Sequence, residues 1–283
     1  MCIDFISLFK NEMKKLNIEV LGLLDKQDII HPLGFDTKIV GRVFEIMTQP
    51  ILEKIASDNN LVLEPTEKQT VYPDFVMRAP DGKEKIAIDV KTSYLKKKDA
   101  DILFTLGSYG SYMRNNKKNI VGAYTDYTKH FVIGFIYERN INGNHGTCFS
   151  YKDKEQMSSP YINAKWFVQE KYKIAGDKPG SGNTENIGSI KSNNLSDFEN
   201  GKGPFSILGD KAFDLYWRNY PKYKERKNDK NNDTNSNVKF KDLAGFMSWF
   251  LRQKKQPFSY LEYDFDALKA RIKEFKKRKK EIK

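Results

Sequence analysis

The sequence predicts a mixed α/β domain, and three observations carry that expectation. Apolar residues recur at helical spacing in the first 58 positions. Two short strand-like runs flank a tight turn at residues 79–83, and an unbroken apolar run fills residues 131–137. A chain of 283 residues is long enough to bury a sizeable core, and 39% hydrophobic residues suit a globular protein.

Taken in order, Phe5, Phe9, Met13 and Leu16 lie on one helical face. Asp36 is placed to cap a second helix running to about Asp58, with Ile39, Val43, Ile46 and Met47 on its inner face and Glu45 close to that stripe. Residues 61–63, 72–77 and 85–91 read as strands. Ala79-Pro80-Asp81-Gly82-Lys83 between the last two is a strong turn signal, so that pair reads as a β-hairpin. Residues 131–137 read as a buried strand. Residues 176–189, rich in Gly, Asn, Ser and Thr, read as a loop. Residues 221–240 are polar and Lys/Asn-rich, the composition of a linker or mobile arm. Residues 241–283 read as a basic helical extension, with one short helix over 243–250 and an amphipathic one over 267–282 that turns Leu268, Ile272 and Phe275 inward.

Lys and Arg number 49 against 37 Asp and Glu, a net charge of +12 that points to a polyanionic partner, nucleic acid before membrane. Cys2 and Cys148 stand far apart and in no ligand spacing, which argues against a disulfide framework or a cysteine zinc site. His31, His130 and His145 are scattered and propose no histidine metal centre. No basic leader precedes the first apolar stretch, and the apolar run at 131–137 is too short to span a bilayer. The expectation is a cytoplasmic protein with no membrane partner.

The chemistry sits in the hairpin. Alternate residues of a strand share a face, so Asp89 and Lys91 project together while Val90 faces away, and the turn brings Asp74 alongside. Two carboxylates beside an ammonium suit phosphodiester hydrolysis. Mg²⁺ prefers oxygen ligands, one or two carboxylates completed by water and a substrate phosphate, and a nearby lysine stabilises charge developing at phosphorus. Glu45, from the preceding helix, is the candidate for a second metal or its water shell. By itself Pro-Asp followed by Asp-x-Lys is a weak signal that also fits a solvated hairpin face.

Longer stretches accompany it. His31-Pro32-Leu33-Gly34-Phe35-Asp36-Thr37-Lys38 leads into the Glu45 helix. Tyr72-Pro73-Asp74-Phe75 and Ile86-Ala87-Ile88-Asp89-Val90-Lys91-Thr92 carry the acids and the lysine. Then follow Phe104-Thr105-Leu106-Gly107, Arg114-Asn115-Asn116, Lys118-Asn119-Ile120-Val121, Ile174-Ala175-Gly176-Asp177, Gly180-Ser181-Gly182-Asn183-Thr184, Asn186-Ile187-Gly188-Ser189-Ile190 and Tyr216-Trp217-Arg218-Asn219-Tyr220. In these stretches, and in their order, the chain resembles the EcoRV-type type II restriction endonucleases of the PD-(D/E)xK nuclease superfamily.

The resemblance implies a restriction-endonuclease-like fold: a central mixed β-sheet flanked by helices. It implies a dimerisation segment over residues 1–35 and a catalytic and DNA-binding core over 36–220, with a recognition loop at about 178–188. It implies Mg²⁺-dependent cleavage of both strands of a short palindrome in double-stranded DNA by a homodimer. The expected site is GATATC, cut blunt at its centre to leave 5′-phosphates, with a cognate DNA methyltransferase in the same system. Carried over residue by residue, the metal carboxylates correspond to Asp74 and Asp89, the catalytic lysine to Lys91 and the accessory acid to Glu45. Gly180, Ser181, Gly182, Asn183, Thr184 and Glu185 form the major-groove loop. Glycines admit close backbone approach, and Asn pairs bidentately with adenine. Gln69 and Thr70 fall in the minor-groove loop. Thr37, Thr92, Ser111, Lys118, Lys222 and Lys227 fall where the family meets the DNA backbone, contacts that fix register but carry no sequence information.

Departures are specific. Glu185 replaces a small hydroxyl residue, Thr70 replaces an amide, the hairpin turn is one residue shorter, and residues from about 235 have no evident counterpart. Two other readings fit the motif: a nuclease of the same superfamily with a repair or structure-specific role, and a catalytically silent DNA-binding protein. The presence of all four active-site residues argues against the second.

Overall fold

Capping chemistry sets where the first helices begin. Asp4 accepts the Ser7 N–H at the start of α1 (Phe5–Met13), and Asp36 accepts the N–H groups of Lys38 and Ile39 at the start of α2 (Thr37–Asp58). Between them lie β1 (Gly22–Leu24) and β2 (Ile29–Pro32). The computed structural model describes residues 3–281 apart from 69, 98–99, 116–117, 144–145, 181–183 and 231–237. Gln69, Ser181, Gly182 and Asn183, four of the expected DNA-contacting residues, therefore lie outside the described residues.

The strands continue with β3 (Val62–Pro65), β4 (Phe75–Arg78), β5 (Lys85–Leu95), β6 (Thr105–Ser108), β7 (Lys129–Arg139), β8 (Phe149–Ser150) and β9 (Tyr161–Glu170). One short helical turn, α3 (Lys171–Ile174), leads to β10 (Ala175–Pro179) and β11 (Asn186–Ser189). The helices α4 (Leu195–Glu199), α5 (Phe205–Leu208), α6 (Asp210–Asn219), α7 (Tyr223–Lys230), α8 (Leu243–Leu251) and α9 (Phe265–Glu281) complete the chain. Five strands form a mixed sheet in the order β3-β4-β5-β7-β9, parallel only between β5 and β7. A second sheet pairs β10, β11 and β6, and a third pairs β1, β2 and β8. The architecture is the mixed α/β one expected, helices covering both faces of a central sheet.

Alternation divides that sheet into two faces with separate cores. Phe75, Met77, Ile86, Ile88, Val90, Phe131, Ile133 and Phe135 pack beneath α1 and α2. Val76, Ala87, Val132, Ile136 and Phe167 face the other way, under Phe213, Tyr216, Trp217 and the C-terminal helices. Asp89 and Lys91 share the parity of Ala87 and so belong to this second face.

Three expectations are corrected. The inner stripe of α2 is Val40, Phe44, Thr48, Ile51 and Ile55; Ile39 and Ile46 are exposed, and Val43 and Met47 only half-buried. The helix is rotated about one residue from the expected face because Phe44 stacks on Phe135, centroids 4.3 Å apart and planes within 7°. Residues 176–189 do not form a loop throughout: both ends are antiparallel strands. Their small residues serve close strand approach, since a Cβ on Gly188 would lie 2.6 Å from the Lys178 carbonyl oxygen. Residues 223–230, read as part of a polar linker, are helical.

The C-terminal helices do more than solvate a basic face. Phe246, Phe250, Leu268 and Ile272 are buried in the same core as Tyr216 and Trp217.

Phe44 is the aromatic hub of the α2 face, fully buried against Phe135, Tyr137 and Tyr161. Phe44→Ala should lower unfolding stability by about 3–5 kcal/mol, measured from urea midpoints. A loss below about 1 kcal/mol would show that α2 is not packed as described.

Candidate active site

The hairpin register places the acids. Phe75 pairs with Ile88 across β4 and β5, so Asp74, one residue before β4, sits beside the 89–91 segment. Its Oδ2 accepts the Val90 N–H at 2.7 Å, which pins the carboxylate to the neighbouring strand. Lys91 Nζ lies 2.8 Å from Asp89 Oδ2 and 3.7 Å from Asp74 Oδ2, and donates to the Val90 carbonyl at 3.1 Å. Asp89 is 3% exposed. At 2.8 Å the Lys91 ammonium and the Asp89 carboxylate form a close, largely buried ion pair.

Electrostatics follow from this crowding. Burial pushes the Asp74 carboxyl up to about 7; the Lys91 charge opposes the rise, and the Asp89 and Glu45 carboxylates reinforce it. Burial by itself disfavours the Lys91 ammonium, but Asp89, Asp74 and Glu45 outweigh that and raise it above the ordinary lysine value. One ammonium thus serves an acidic cluster that holds more negative charge than it balances, a donor set suited to a hard cation.

Two clefts meet at Asp74. One, of about 200 Å³, is lined by Thr70, Tyr72, Asp74, Asp89, Lys91, Ser108, Ser111 and Tyr112. The other, of about 430 Å³, is lined by Thr37, Lys38, Arg42, Glu45, Glu67, Asp74 and Thr92. The fold therefore gathers Glu45, Thr37, Thr92, Thr70 and Ser111 around the hairpin acids. Glu45 forms an ion pair with Arg42 at 2.6 Å. Among the described residues no three acidic, histidine or cysteine side chains converge as a ready cation cage. The acidic side chains that lie beside Lys91 are Asp74 and Asp89.

Lys118 is exposed, and its carbonyl accepts from Ser111 Oγ at 3.0 Å, so these two residues are fixed together. Lys222 and Lys227 are exposed, beside and on α7 respectively. Gly180 closes the β10–β11 arm by donating to the Asn186 carbonyl at 3.0 Å. The carbonyl of Thr184 accepts from Arg226 at 3.1 Å. Glu185 is engaged with its own chain: its carboxylate accepts the Tyr223 N–H at 3.2 Å, and its carbonyl accepts the Tyr109 N–H at 2.9 Å.

Sequence reasoning missed the wall behind the acids. Tyr72, Tyr112 and Tyr124 stack there with His130, and the ammonium of Lys171 lies among them. Tyr72 is flagged in the sequence only by its place before Pro73-Asp74. A lysine one residue beyond a strand gives no sign that it will be buried.

With this geometry in hand, comparisons with known proteins agree on one family. The family described as Restriction endonuclease EcoRV matches residues 13–250. The type II restriction enzyme EcoRV of Escherichia coli is 37% identical over 254 residues, covering 89% of this chain and 98% of that protein.

Folding raises the Asp74 carboxyl from 3.8 to about 7, so the folded chain holds that proton more tightly than the unfolded one. The stability this group contributes is complete below pH 3.8 and is lost as pH rises towards 7. In metal-free protein at pH 8, Asp74→Asn should therefore melt about 2–4 °C or more above wild type. The gain should shrink at pH 5, where the native carboxyl is already protonated. An equal melting difference at both pH values would contradict the assigned shift.

Proposed function

The chain belongs to the restriction endonuclease EcoRV family, and from that premise we propose that it cuts both strands of a palindromic DNA site through Asp74, Asp89 and Lys91. It is a type II restriction endonuclease. The observation that carries the finer reading is the meeting of two carboxylates and one ammonium, within 2.8 and 3.7 Å, where two clefts join.

In this reading Asp74 and Asp89 bind a divalent cation, Mg²⁺, and Glu45 serves its water shell from the neighbouring cleft. A bound cation would supply an acidified water and offset charge at the scissile phosphate. The Val90 N–H holds Asp74 in its binding orientation. Lys91 steadies both carboxylates and stabilises the charge that builds on phosphorus. Thr37, Thr92, Ser111 and Lys118 contact the DNA backbone beside the acids, with Lys222 and Lys227 adding basic contacts from the α7 region. Gly180 to Thr184 read base edges in the major groove, and Gln69 with Thr70 approach the minor groove. Glu185 anchors the arm through Tyr223 and Tyr109, a role its own hydrogen bonds support better than base contact.

The preferred site is GATATC, cut at its centre to leave blunt ends with 5′-phosphates. The enzyme acts as a homodimer whose two-fold axis matches that of the palindrome. The β1–β2–β8 sheet supports this, since Leu23 and Leu24 stand exposed on it while α1 is buried in its own core. The reading includes action in the cytoplasm alongside a cognate methyltransferase. No helix among the described residues is long and apolar enough to cross a membrane.

Digestion of a sequenced plasmid with Mg²⁺ tests the specificity. Blunt ends at the centre of GATATC are expected; staggered ends or another hexamer would refute the site. Asp89→Ala and Lys91→Ala should each lower cleavage by about 100-fold or more while leaving a folded dimer by scattering and circular dichroism. Wild-type cleavage by either variant would remove that residue from the reaction.

A further inference from the structure

The acid-bearing face of the central sheet carries a second buried lysine. Asp89 on β5 pairs with Val132 on β7, and Val132 pairs with Gln169 on β9. Lys171 follows two residues later on the same face, level with Ala87 and His130. It is 1% exposed. Two strand spacings across the sheet and two residues along it put its backbone roughly 12 Å from that of Asp89.

Among the described residues no carboxylate pairs with this ammonium. Instead Nζ sits 4.3, 5.0 and 5.6 Å from the ring centroids of Tyr72, Tyr112 and Tyr124, and donates to Tyr112 Oη at 2.9 Å. Tyr112 in turn donates to the Leu106 carbonyl at 3.2 Å. Tyr72 and Tyr112 also line the cleft that holds Asp74, Asp89 and Lys91. The cage of π-faces thus holds a cation directly behind the acid pair.

We propose that Lys171 is a positioning residue for the cation site: its caged charge balances the acid pair before a divalent cation arrives and weakens that cation's binding. The inference rests on the reading that Asp74 and Asp89 bind the cation. The field is reciprocal. A positive charge fixed behind the carboxylates steadies their anionic form and repels a dication placed on them. Burial pushes the Lys171 ammonium down to about 7, with the Asp89 and Asp74 carboxylates opposing that fall and Lys91 adding to it. The other charged and titratable groups around it are Lys129 and His130 from β7, the adjacent Glu170, and Asp210, Lys211, Asp214 and Arg218 from α6, with Glu262 lining the same cavity. Lys171 is therefore charged in acidic solution and progressively neutral above neutral pH, so its repulsion is confined to the lower range.

The experiment compares wild type, Lys171→Met and Lys171→Arg by calorimetric titration with Ca²⁺ and by the Mg²⁺ concentration giving half-maximal cleavage, at pH 6.5 and 8.5. Lys171→Met should bind the dication about tenfold more tightly than wild type at pH 6.5, with the gap closing at pH 8.5. Lys171→Arg, which keeps the charge, should not gain affinity. A merely structural role would loosen the site and weaken binding, so weaker or unchanged affinity in Lys171→Met overturns the proposal. Lys171→Gln supplies a second neutral side chain if the methionine variant does not fold. If neither neutral variant folds and Lys171→Arg does, the charge serves the fold alone and the proposal also fails. Asp89→Asn runs in parallel. Unchanged dication binding by that variant would overturn the cation-site reading itself rather than the role of Lys171.

Discussion

The structure turns on holding two carboxylates side by side, mostly out of water, without a matching number of cations. Asp74 and Asp89 would repel each other to a distance were they free. The hydrogen bond from Val90 to Asp74 and the ion pair of Lys91 with Asp89 prevent this. Both restraints are consequences of hairpin register, since a slip of one residue would send Asp89 and Lys91 to the opposite face, under α1 and α2. Register is protected because the same slip would pull Ile86, Ile88 and Val90 out of the α1–α2 core and drive two charged side chains into it.

The two cores flanking the sheet have distinct jobs. The α1–α2 side is a close-packed aromatic and aliphatic layer that sets the position of Glu45 relative to Asp74 through the Phe44–Phe135 stack. The other side carries the polar chemistry, and its burial is completed by segments far along the chain. Tyr216 and Trp217 on α6, with α8 and α9, cover the same face that displays the acids and Lys171. The basic C-terminal helices thus belong to the body of the molecule, their charges outward and Leu268 and Ile272 inward.

The β10–β11 arm is tied back by Glu185, the residue that departs from the family pattern there. Glu185 bonds to Tyr223 at the start of α7 and to Tyr109, while Arg226 holds Thr184. The substitution is thereby accommodated by contacts that no local sequence pattern announces.

The sequence by itself determined the α2 cap at Asp36, the hairpin, the shared face of Asp89 and Lys91, and the family. Each depends on neighbours within a few residues or on ordered motifs along the chain. What only the tertiary structure decided was the rotation of α2, the helical turn at 223–230, the engagement of Glu185 and the caging of Lys171 by Tyr72, Tyr112 and Tyr124. These depend on packing between segments up to about a hundred residues apart. Periodicity records that a side chain shares a face with its neighbours; it carries no record of which distant ring or charge will lie against that face.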